Sequence, residues 1–182
     1  MRLFVAIELD RHVKSGIQEV VDRLSAVHKN AKFVEPENLH FTVKFLGEVR
    51  DDRLEDVKKA ISASVSGFRP FKVTVKGLGY FGNRKAAGAV WVGAEGGHDE
   101  MVRLASRLEA GLSKFRKEER QFSAHITICR PNGDTSKLID DIEQLGSKDF
   151  GSMEVRSIKL KKSTLTPRGP VYDDVGEFAL PI

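Results

Sequence analysis

One five-residue pattern, an apolar residue, His, an apolar residue, Thr and an apolar residue, occurs twice in the chain. Its two copies are Leu39-His40-Phe41-Thr42-Val43 and Ala124-His125-Ile126-Thr127-Ile128. In a β-strand, side chains two residues apart lie on the same face, so His40 and Thr42 share a face, as do His125 and Thr127. The apolar residues between them face the other way. The pattern therefore predicts two strands, each with one buried face and one face that presents an imidazole and a hydroxyl.

The repetition is hard to explain by chance. The chain has five His among 182 residues, and we estimate the probability of two such His-x-Thr matches at about 0.01. The other three, His12, His28 and His98, do not fit the pattern. The two motif histidines are 125 − 40 = 85 residues apart, close to half of the chain. This spacing indicates an internal duplication.

The rest of the chain alternates between strand and helix patterns. Short apolar or alternating runs predict strands at 2–9, 71–75, 89–92, 155–165 and 171–180, besides the two that carry the motifs. Apolar residues at helical spacing predict helices at 10–29, 51–65, 99–115 and 134–142. The glycine-rich stretch 77–82 predicts a turn between the halves. Each half then reads strand, helix, His strand, helix, strand, which favours an α+β fold with mainly antiparallel sheets and outer helices.

Composition narrows the class of ligand and the compartment. Lys and Arg exceed Asp and Glu by 30 to 26, for a net charge of +4. This mild basicity suits an anionic ligand, but is too weak for general coating of nucleic acid. The single cysteine, Cys129, excludes an internal disulfide and favours a reducing compartment. The apolar run 3–7 is too short to span a membrane, and we expect a cytoplasmic protein that does not associate with membranes.

The histidines have three simpler explanations: a structural role, a zinc site and a serine nucleophile. A lone strand histidine is more often structural than catalytic, but the repetition argues against that here. Zinc needs three or four protein ligands, and no His-x-His, Glu-x-x-His or cysteine cluster accompanies either motif, so no metal is expected. Ser123 precedes His125 on the same strand face, yet no acid-His-nucleophile set can be named around it.

Two histidines with paired threonines suit metal-free phosphoryl chemistry. Imidazole titrates near neutrality, so a neutral histidine can accept a proton from water while a protonated one donates to a leaving oxygen. Threonine hydroxyls and nearby cations can stabilise the phosphate oxygens whose charge grows in the transition state. The pattern therefore predicts general acid-base catalysis that needs no cofactor and requires both histidines.

The motifs, as they stand in residues 40–47 and 125–130, resemble the two HxTx signatures of the 2H phosphoesterase superfamily. The opening residues 1–7 and the chain length are similar to its RNA 2′,3′-cyclic phosphodiesterase branch, once named 2′,5′ RNA ligase. The resemblance implies one domain over residues 1–182, built from two pseudo-symmetric lobes with the active site in the cleft between them. Each lobe would contribute one motif, residues 40–43 and 125–128. The implied reaction is hydrolysis of RNA 2′,3′-cyclic phosphate ends to 2′-phosphomonoesters.

The resemblance also implies a role for each site residue. His40 is similar to the acid that protonates the leaving 3′ oxygen, and His125 to the base that activates water. Thr42 and Thr127 match the phosphate-binding threonines, and Arg130 matches a basic residue that follows the second motif. Strict alternation would point Arg130 away from His125, so it reaches the phosphate only if the strand ends or twists there.

Three further expectations concern Cys129, Lys44 and a group of cationic residues near the end of the chain. Cys129 should share the His125 face and crowd the pocket floor, where small residues are usual in the family. Lys44 should share the His40 face, either in contact with the RNA backbone or, as we expect, simply as an exposed strand lysine. Lys159, Lys161 and Lys162, with Arg168, are candidates for a basic rim, although two of them could instead protect an edge strand.

Two other functions stay open from the sequence. One is a ligase that joins tRNA halves through a 2′,5′ linkage. The other is an RNA-binding module whose histidines no longer turn over substrate. The expected partner in each case is RNA. For the enzyme, this is an RNA with a 2′,3′-cyclic phosphate end, such as a tRNA fragment. We expect the protein to be a monomer.

Overall fold

Nine strands and four helices follow one another along the chain, all of whose residues, 1–182, are described by a computed structural model. The strands are β1 (Arg2–Glu8), β2 (Ala31–Phe33), β3 (His40–Glu48), β4 (Phe71–Asn83), β5 (Ala86–Ala94), β6 (His125–Pro131), β7 (Asp149–Val155), β8 (Ser157–Thr166) and β9 (Gly169–Ala179). The helices are α1 (Arg11–Val27), α2 (Leu54–Val65), α3 (His98–Leu112) and α4 (Ser136–Gln144). Single 3₁₀ turns at Pro36–Asn38 and Asp51–Arg53 precede β3 and α2.

The strands form two sheets. The first sheet has the order β3-β1-β8-β9, and the second has the order β2-β6-β5-β4-β7. Every neighbouring pair in both sheets is antiparallel. The predicted α+β class with antiparallel sheets is confirmed, and each sheet contains one of the two histidine strands.

The two sheets are not built from the two halves of the chain. The order β1-α1-β3-α2-β4 is repeated as β5-α3-β6-α4-β7. The sequence predicted the same order of elements, but with a strand at 155–165 in the last position instead of β7. However, β4 joins the second sheet beside β5, and the chain returns at its end to add β8 and β9 to the first sheet. Each half therefore gives strands to both sheets, and neither sheet is complete without the other half.

The helices cover the sheets and close one continuous core. α1 packs against β7 of the second sheet, α3 packs against β3 of the first sheet, and α2 packs against α3. Their buried positions recur at helical spacing, as in Val13, Ile17, Val20, Val21 and Leu24 of α1. A single cluster of 43 buried apolar residues draws on both sheets and all four helices. None of the helices combines the length and the apolar character needed to cross a bilayer.

Both histidine strands contain a bulge at the same place, immediately after the threonine. Against β1, the pairing passes from Ala6 opposite Thr42 to Val5 opposite Lys44, so Val43 has no partner. Against β5, the pairing passes from Trp91 opposite Thr127 to Val90 opposite Cys129, which leaves Ile128 unpaired. A bulge inserts one residue and shifts the alternation of faces downstream. Side chains beyond each threonine therefore point the opposite way from a regular strand.

Three local predictions were wrong. The short strands β2 and β7 were not predicted, because neither has a clear alternating pattern. The stretch 77–82, expected as a turn, belongs to β4, which continues to Asn83 and turns at residues 84–85. Its glycines fit the strand geometry. Gly77 and Gly82 have positive φ at positions where the strand register is irregular. At Gly79, a Cβ would lie 2.4 Å from the Trp91 ring, which leaves room only for glycine.

Candidate active site

The two motifs converge on one cavity. Its volume is about 250 Å³, and His40, Thr42, His125, Thr127 and Arg130 all line it. The first pair comes from β3 of the first sheet, and the other three residues come from β6 of the second sheet. The structure therefore brings together all five site residues that the sequence predicted, while their chemical roles stay a prediction.

The tautomer of His40 follows from its hydrogen bonds. Its Nδ1 lies 2.6 Å from the carbonyl oxygen of Asn38, which can only accept, so Nδ1 carries a proton. The neutral ring then has an unprotonated Nε2, to which the hydroxyl of Thr42 donates at 2.9 Å. When the ring is protonated, both nitrogens carry protons and Nε2 becomes a donor. The nitrogen that faces Thr42 is thus the one that can release a proton.

His125 is held in the same way. Its Nδ1 donates to the carbonyl oxygen of Ser123 at 2.8 Å, so the neutral ring has its lone pair on Nε2. In both motifs, the residue two positions before the histidine supplies the accepting carbonyl. This arrangement fixes both rings with Nε2 as the reactive nitrogen. It leaves His125 able to accept a proton at the cavity.

Aromatic side chains pack against both imidazoles. The ring of His40 lies 5.1 Å from Phe4 on β1 and makes an edge contact of 5.5 Å with Tyr172 on β9. The ring of His125 makes an edge contact of 4.9 Å with Phe81 on β4. These contacts limit rotation of the rings. They also remove part of each ring from water.

Burial lowers the pKa of both histidines. For His40, the Lys161 ammonium lowers the pKa further. The hydrogen bond from the ring to the Asn38 carbonyl and the negative charge of Glu8 both raise the pKa, but by less than burial lowers it. A charge on His125 also lowers the pKa of His40, which places the two rings within electrostatic reach of each other. For His125, burial again comes first, the Ser123 carbonyl opposes it, and Arg130 adds to it. The pair therefore resists a double positive charge.

The bulge in β6 decides which way Arg130 points. Because Ile128 is the inserted residue, the next two side chains change faces: Cys129 is fully buried in the core, and Arg130 is exposed and lines the cavity. The expectation that Cys129 would crowd the pocket floor is wrong. Its burial raises the pKa of the thiol to about 12, which makes it inert. Arg130 therefore reaches the cavity because the bulge reverses the alternation of side chains along β6.

The bulge in β3 has the same effect on Lys44. Rather than an exposed lysine on the His40 face, it is only 4% exposed. Its Nζ donates to Glu109 of α3 at 2.5 Å and to the carbonyl oxygen of Arg116 at 2.7 Å. Glu109 in turn accepts from the backbone N–H of Glu118. Lys44 therefore anchors the segment 113–124, which leads into the His125 strand.

A charged cluster lies beside His40 on the first sheet. Glu8 is paired with His40 across the β1–β3 ladder, and its carboxylate contacts Lys161 of β8. Lys161 is 6% exposed and also donates to Asp174 of β9 at 2.8 Å, as Lys159 does at 2.7 Å. The proposed role of these lysines in protecting an edge is wrong, since β8 lies between β1 and β9. Of the four candidates for a basic rim, only Arg168 lines the cavity.

Sequence reasoning missed the residues that close the cavity. The stretch from β2 to β3 contributes Lys32, Glu35 and Asn38, and the start of β9 contributes Pro170 and Tyr172. The two meet where the Asn38 amide donates to the carbonyl oxygen of Pro170 at 3.0 Å. No local pattern marks these residues. Pro170 and Tyr172 reach the site only through the return of the chain to the first sheet.

The arrangement allows proton transfer on both sides of an anion. Two imidazoles, each with Nε2 as the nitrogen that gains or loses the proton, face one small cavity together with two threonine hydroxyls and the guanidinium groups of Arg130 and Arg168. An anionic group bound there would have one proton acceptor and one proton donor within reach, and cations to balance its charge.

Comparison with known proteins gives the family. A family model described as LigT like Phosphoesterase matches residues 7–91 and again residues 92–172. A curated relative from Archaeoglobus fulgidus, named RNA 2′,3′-cyclic phosphodiesterase, is 38% identical over 98% of this chain and 99% of its own length. A relative of the same name from Methanocaldococcus jannaschii is 37% identical over 98% of this chain and 100% of its own.

Solved structures agree in fold. A crystal structure of a protein from Thermus thermophilus superposes with a TM-score of 0.85 at 28% identity, and covers 99% of this chain and 98% of that one. The crystal structure of E. coli LigT with 3′-AMP superposes with a TM-score of 0.75 at 22% identity, over 98% and 97% of the two chains. Since the two matches to the family model together span most of the 182 residues, this chain belongs to the LigT-like phosphoesterase family.

Proposed function

We propose that this protein hydrolyses RNA 2′,3′-cyclic phosphodiester ends to 2′-phosphomonoesters, with two histidines and without a metal. The observation that carries the proposal is the convergence of His40 and His125, each with its threonine, on one cavity from two different sheets. The name RNA 2′,3′-cyclic phosphodiesterase, which full-length relatives at 37–38% identity share, supports the same reaction.

In the proposed reaction, each histidine moves one proton. Nε2 of His125 accepts a proton from a water molecule, whose oxygen attacks the phosphorus and forms a new P–O bond. The bond from phosphorus to the ribose 3′ oxygen breaks, and that oxygen takes the proton from Nε2 of His40. The product is a 2′-phosphate and a free 3′-hydroxyl, and the net change is the addition of one water. The two histidines end in exchanged protonation states.

The remaining side chains stabilise charge in this scheme. The hydroxyls of Thr42 and Thr127 donate to the non-bridging oxygens of the phosphate, and Arg130 neutralises the charge that grows on them. Thr42 donates to Nε2 of neutral His40 in the free site. When His40 is protonated, this hydroxyl is free to turn to the phosphate. The bound phosphate anion also favours the protonated form of His40, against the effect of burial.

We further propose that the 182 residues act as one domain of two lobes, each of which contributes one motif, residues 40–43 and 125–128. The single core and the strands exchanged between the sheets support one domain, and the presence of one motif strand in each sheet supports two lobes. The proposed setting is a monomer in the cytoplasm, with RNA fragments that end in a 2′,3′-cyclic phosphate, tRNA fragments among them, as substrates.

The direct test uses a short RNA that ends in a 2′,3′-cyclic phosphate. We expect the wild-type protein to convert it to the 2′-phosphate at the same rate with and without EDTA. Removal of a general acid or base typically costs 10²- to 10⁴-fold in rate, so His40→Ala and His125→Ala should each lose at least about 10²-fold. His98→Ala, at an exposed histidine outside the site, is the matched control.

Other outcomes would point elsewhere. A 3′-phosphate product would mean that the opposite bond breaks, and would reverse the assignment of the leaving oxygen. Full activity of either histidine variant would remove the two-histidine mechanism. Joined RNA as the main product would favour the ligase, and salt-sensitive binding without conversion would favour the binding module.

A further inference from the structure

A second concave surface begins at the catalytic cavity and runs away from it. Thr42 and His125 line both, so the two spaces meet at the reacting groups. The second space is open and larger, about 920 Å³. Its floor is one side of α3, and its walls carry Phe81, Phe122, Arg116 and Arg120. We call it the arginine groove.

The cavity is small for a polymer, with a volume of about 250 Å³. Part of its wall is closed where the segment before β3 meets the start of β9, through the hydrogen bond from Asn38 to Pro170. The cavity volume is about a quarter of that of the groove. An RNA whose end reacts between His40 and His125 must therefore leave the cavity, and the groove starts at the same two histidine strands.

The segment 113–124 gives this groove a cationic wall. It contains Lys114, Arg116, Lys117 and Arg120 against two acids, Glu118 and Glu119. Of these six residues, Arg116, Glu118 and Arg120 line the groove itself. None of these four cations is in an ion pair. The acid that also lines the groove on α3, Glu109, is paired with Lys44. The free charge of the segment is thus positive, as binding to a phosphate backbone requires.

The segment is held in place rather than loose. Lys44 binds the carbonyl oxygen of Arg116, and Glu109 accepts from the backbone N–H of Glu118. The guanidinium of Arg116 lies over the ring of Phe45, 5.0 Å from its centre. The backbone of the segment and the guanidinium of Arg116 are therefore already positioned, so they lose little entropy when a ligand binds.

An aromatic ring is exposed at the junction of groove and cavity. Phe81 is 40% exposed, although it packs edge-on against His125. Exposed aromatic rings between cations are the pattern by which proteins bind single-stranded nucleic acid, because bases stack on the rings while cations follow the phosphates.

We propose that the arginine groove binds the single-stranded body of the RNA substrate, that is, the nucleotides on the 5′ side of the reacting end. This inference rests on the proposed function. It assigns to Arg116 and Arg120 contacts with the phosphate backbone, and to Phe81 the stacking of a base. It predicts that the protein distinguishes a polynucleotide end from a free cyclic mononucleotide.

The test measures binding of fluorescein-labelled RNAs that already end in a 2′-phosphate and therefore do not turn over, from a dinucleotide to an octanucleotide. We expect affinity to rise about fivefold or more as nucleotides are added over the groove. Arg120→Gln should remove much of this gain. It should also reduce the slope of log affinity against log salt by about 0.7, the value expected when one phosphate of a single strand is no longer neutralised. Arg23→Gln is the matched control, because it removes the same charge at an exposed position of α1 outside the groove.

The outcomes separate this proposal from the proposed function. Affinity that does not change with length, or Arg120→Gln and Arg23→Gln variants that behave alike, would overturn the groove while hydrolysis of cyclic ends continued. Length-dependent binding that is weakened by Arg120→Gln, in a protein that hydrolyses no cyclic phosphate, would keep the groove and reject the enzyme.

Discussion

At the scale of single residues, the protonation state of His40 is the most sensitive point of the site. Glu8 of β1, Lys161 of β8 and Asp174 of β9 lie on the side of the first sheet that carries His40, and His125 and Arg130 of β6 face it across the cavity. The phenol of Tyr172, whose pKa burial raises, also contacts the ring. Charges held this close in a partly buried site interact strongly.

The activity of the pair should follow a bell-shaped pH profile. The acid limb of kcat/KM reports protonation of the base, and the basic limb reports loss of the proton from the acid. Since burial lowers the pKa of both histidines, we expect both limbs to lie below the positions that free imidazole, with a pKa of about 6.5, would give. A profile of kcat/KM against pH on a cyclic-phosphate RNA measures this. An optimum well above neutrality would contradict it.

Two substitutions near His40 should move the basic limb in opposite directions. The Glu8 carboxylate raises the pKa of His40 and the Lys161 ammonium lowers it. Glu8→Gln should therefore shift the limb to lower pH, and Lys161→Met should shift it to higher pH. NMR titration of the His40 ring gives a direct reading. Lys162→Met, at the next position of β8 and on its opposite face, is the control, and shifts in the same direction for both variants would rule out a charge effect.

At the scale of elements, the bulge after each threonine decides which way the residues that follow the two motifs point. In β6 it brings Arg130 to the cavity, and in β3 it sends Lys44 to α3. The link from Lys44 to Glu109 and Arg116 joins the first histidine strand to the segment that precedes the second.

The Lys44–Glu109 pair should show the asymmetry of a buried ion pair. Glu109→Met leaves the nearly inaccessible Lys44 ammonium without its acid, and should cost about 3–5 kcal/mol of unfolding free energy. Lys44→Met leaves Glu109, a third exposed, free to turn to water and should cost less, about 1–3 kcal/mol. The double variant should recover much of the loss. Urea denaturation of the four proteins completes the cycle, and additive losses would mean that the two side chains do not interact.

At the scale of the whole molecule, the exchange of strands between the halves makes the two sheets one cooperative unit. β4 from the first half completes the second sheet, β8 and β9 from the end of the chain complete the first, and one core joins them. We therefore expect a single unfolding transition. Fluorescence of Trp91, the one tryptophan of the chain and a residue of the second sheet, should change together with the far-ultraviolet circular dichroism of the whole. Two separated transitions would show lobes that unfold independently.

The sequence determined much of this protein by itself. A period of two residues around His40 and His125, and a period of 3.6 along the four helices, arise from local backbone geometry, so these elements and the two His-Thr pairs of the site were predictable. Arg130 was expected only from the family resemblance. The duplication of the pairs indicated two related units that share one site. The α+β class followed from the order of the elements.

Only the tertiary structure decided the rest, because it depends on pairing between residues far apart in the chain. The bulges at Val43 and Ile128 exist only relative to the partner strands β1 and β5, and they alone place Lys44 in the protein interior and Arg130 at the cavity. Likewise, Tyr172 reaches His40 because β9 returns to the first sheet. Register and strand order are long-range properties, which no pattern of neighbouring residues specifies.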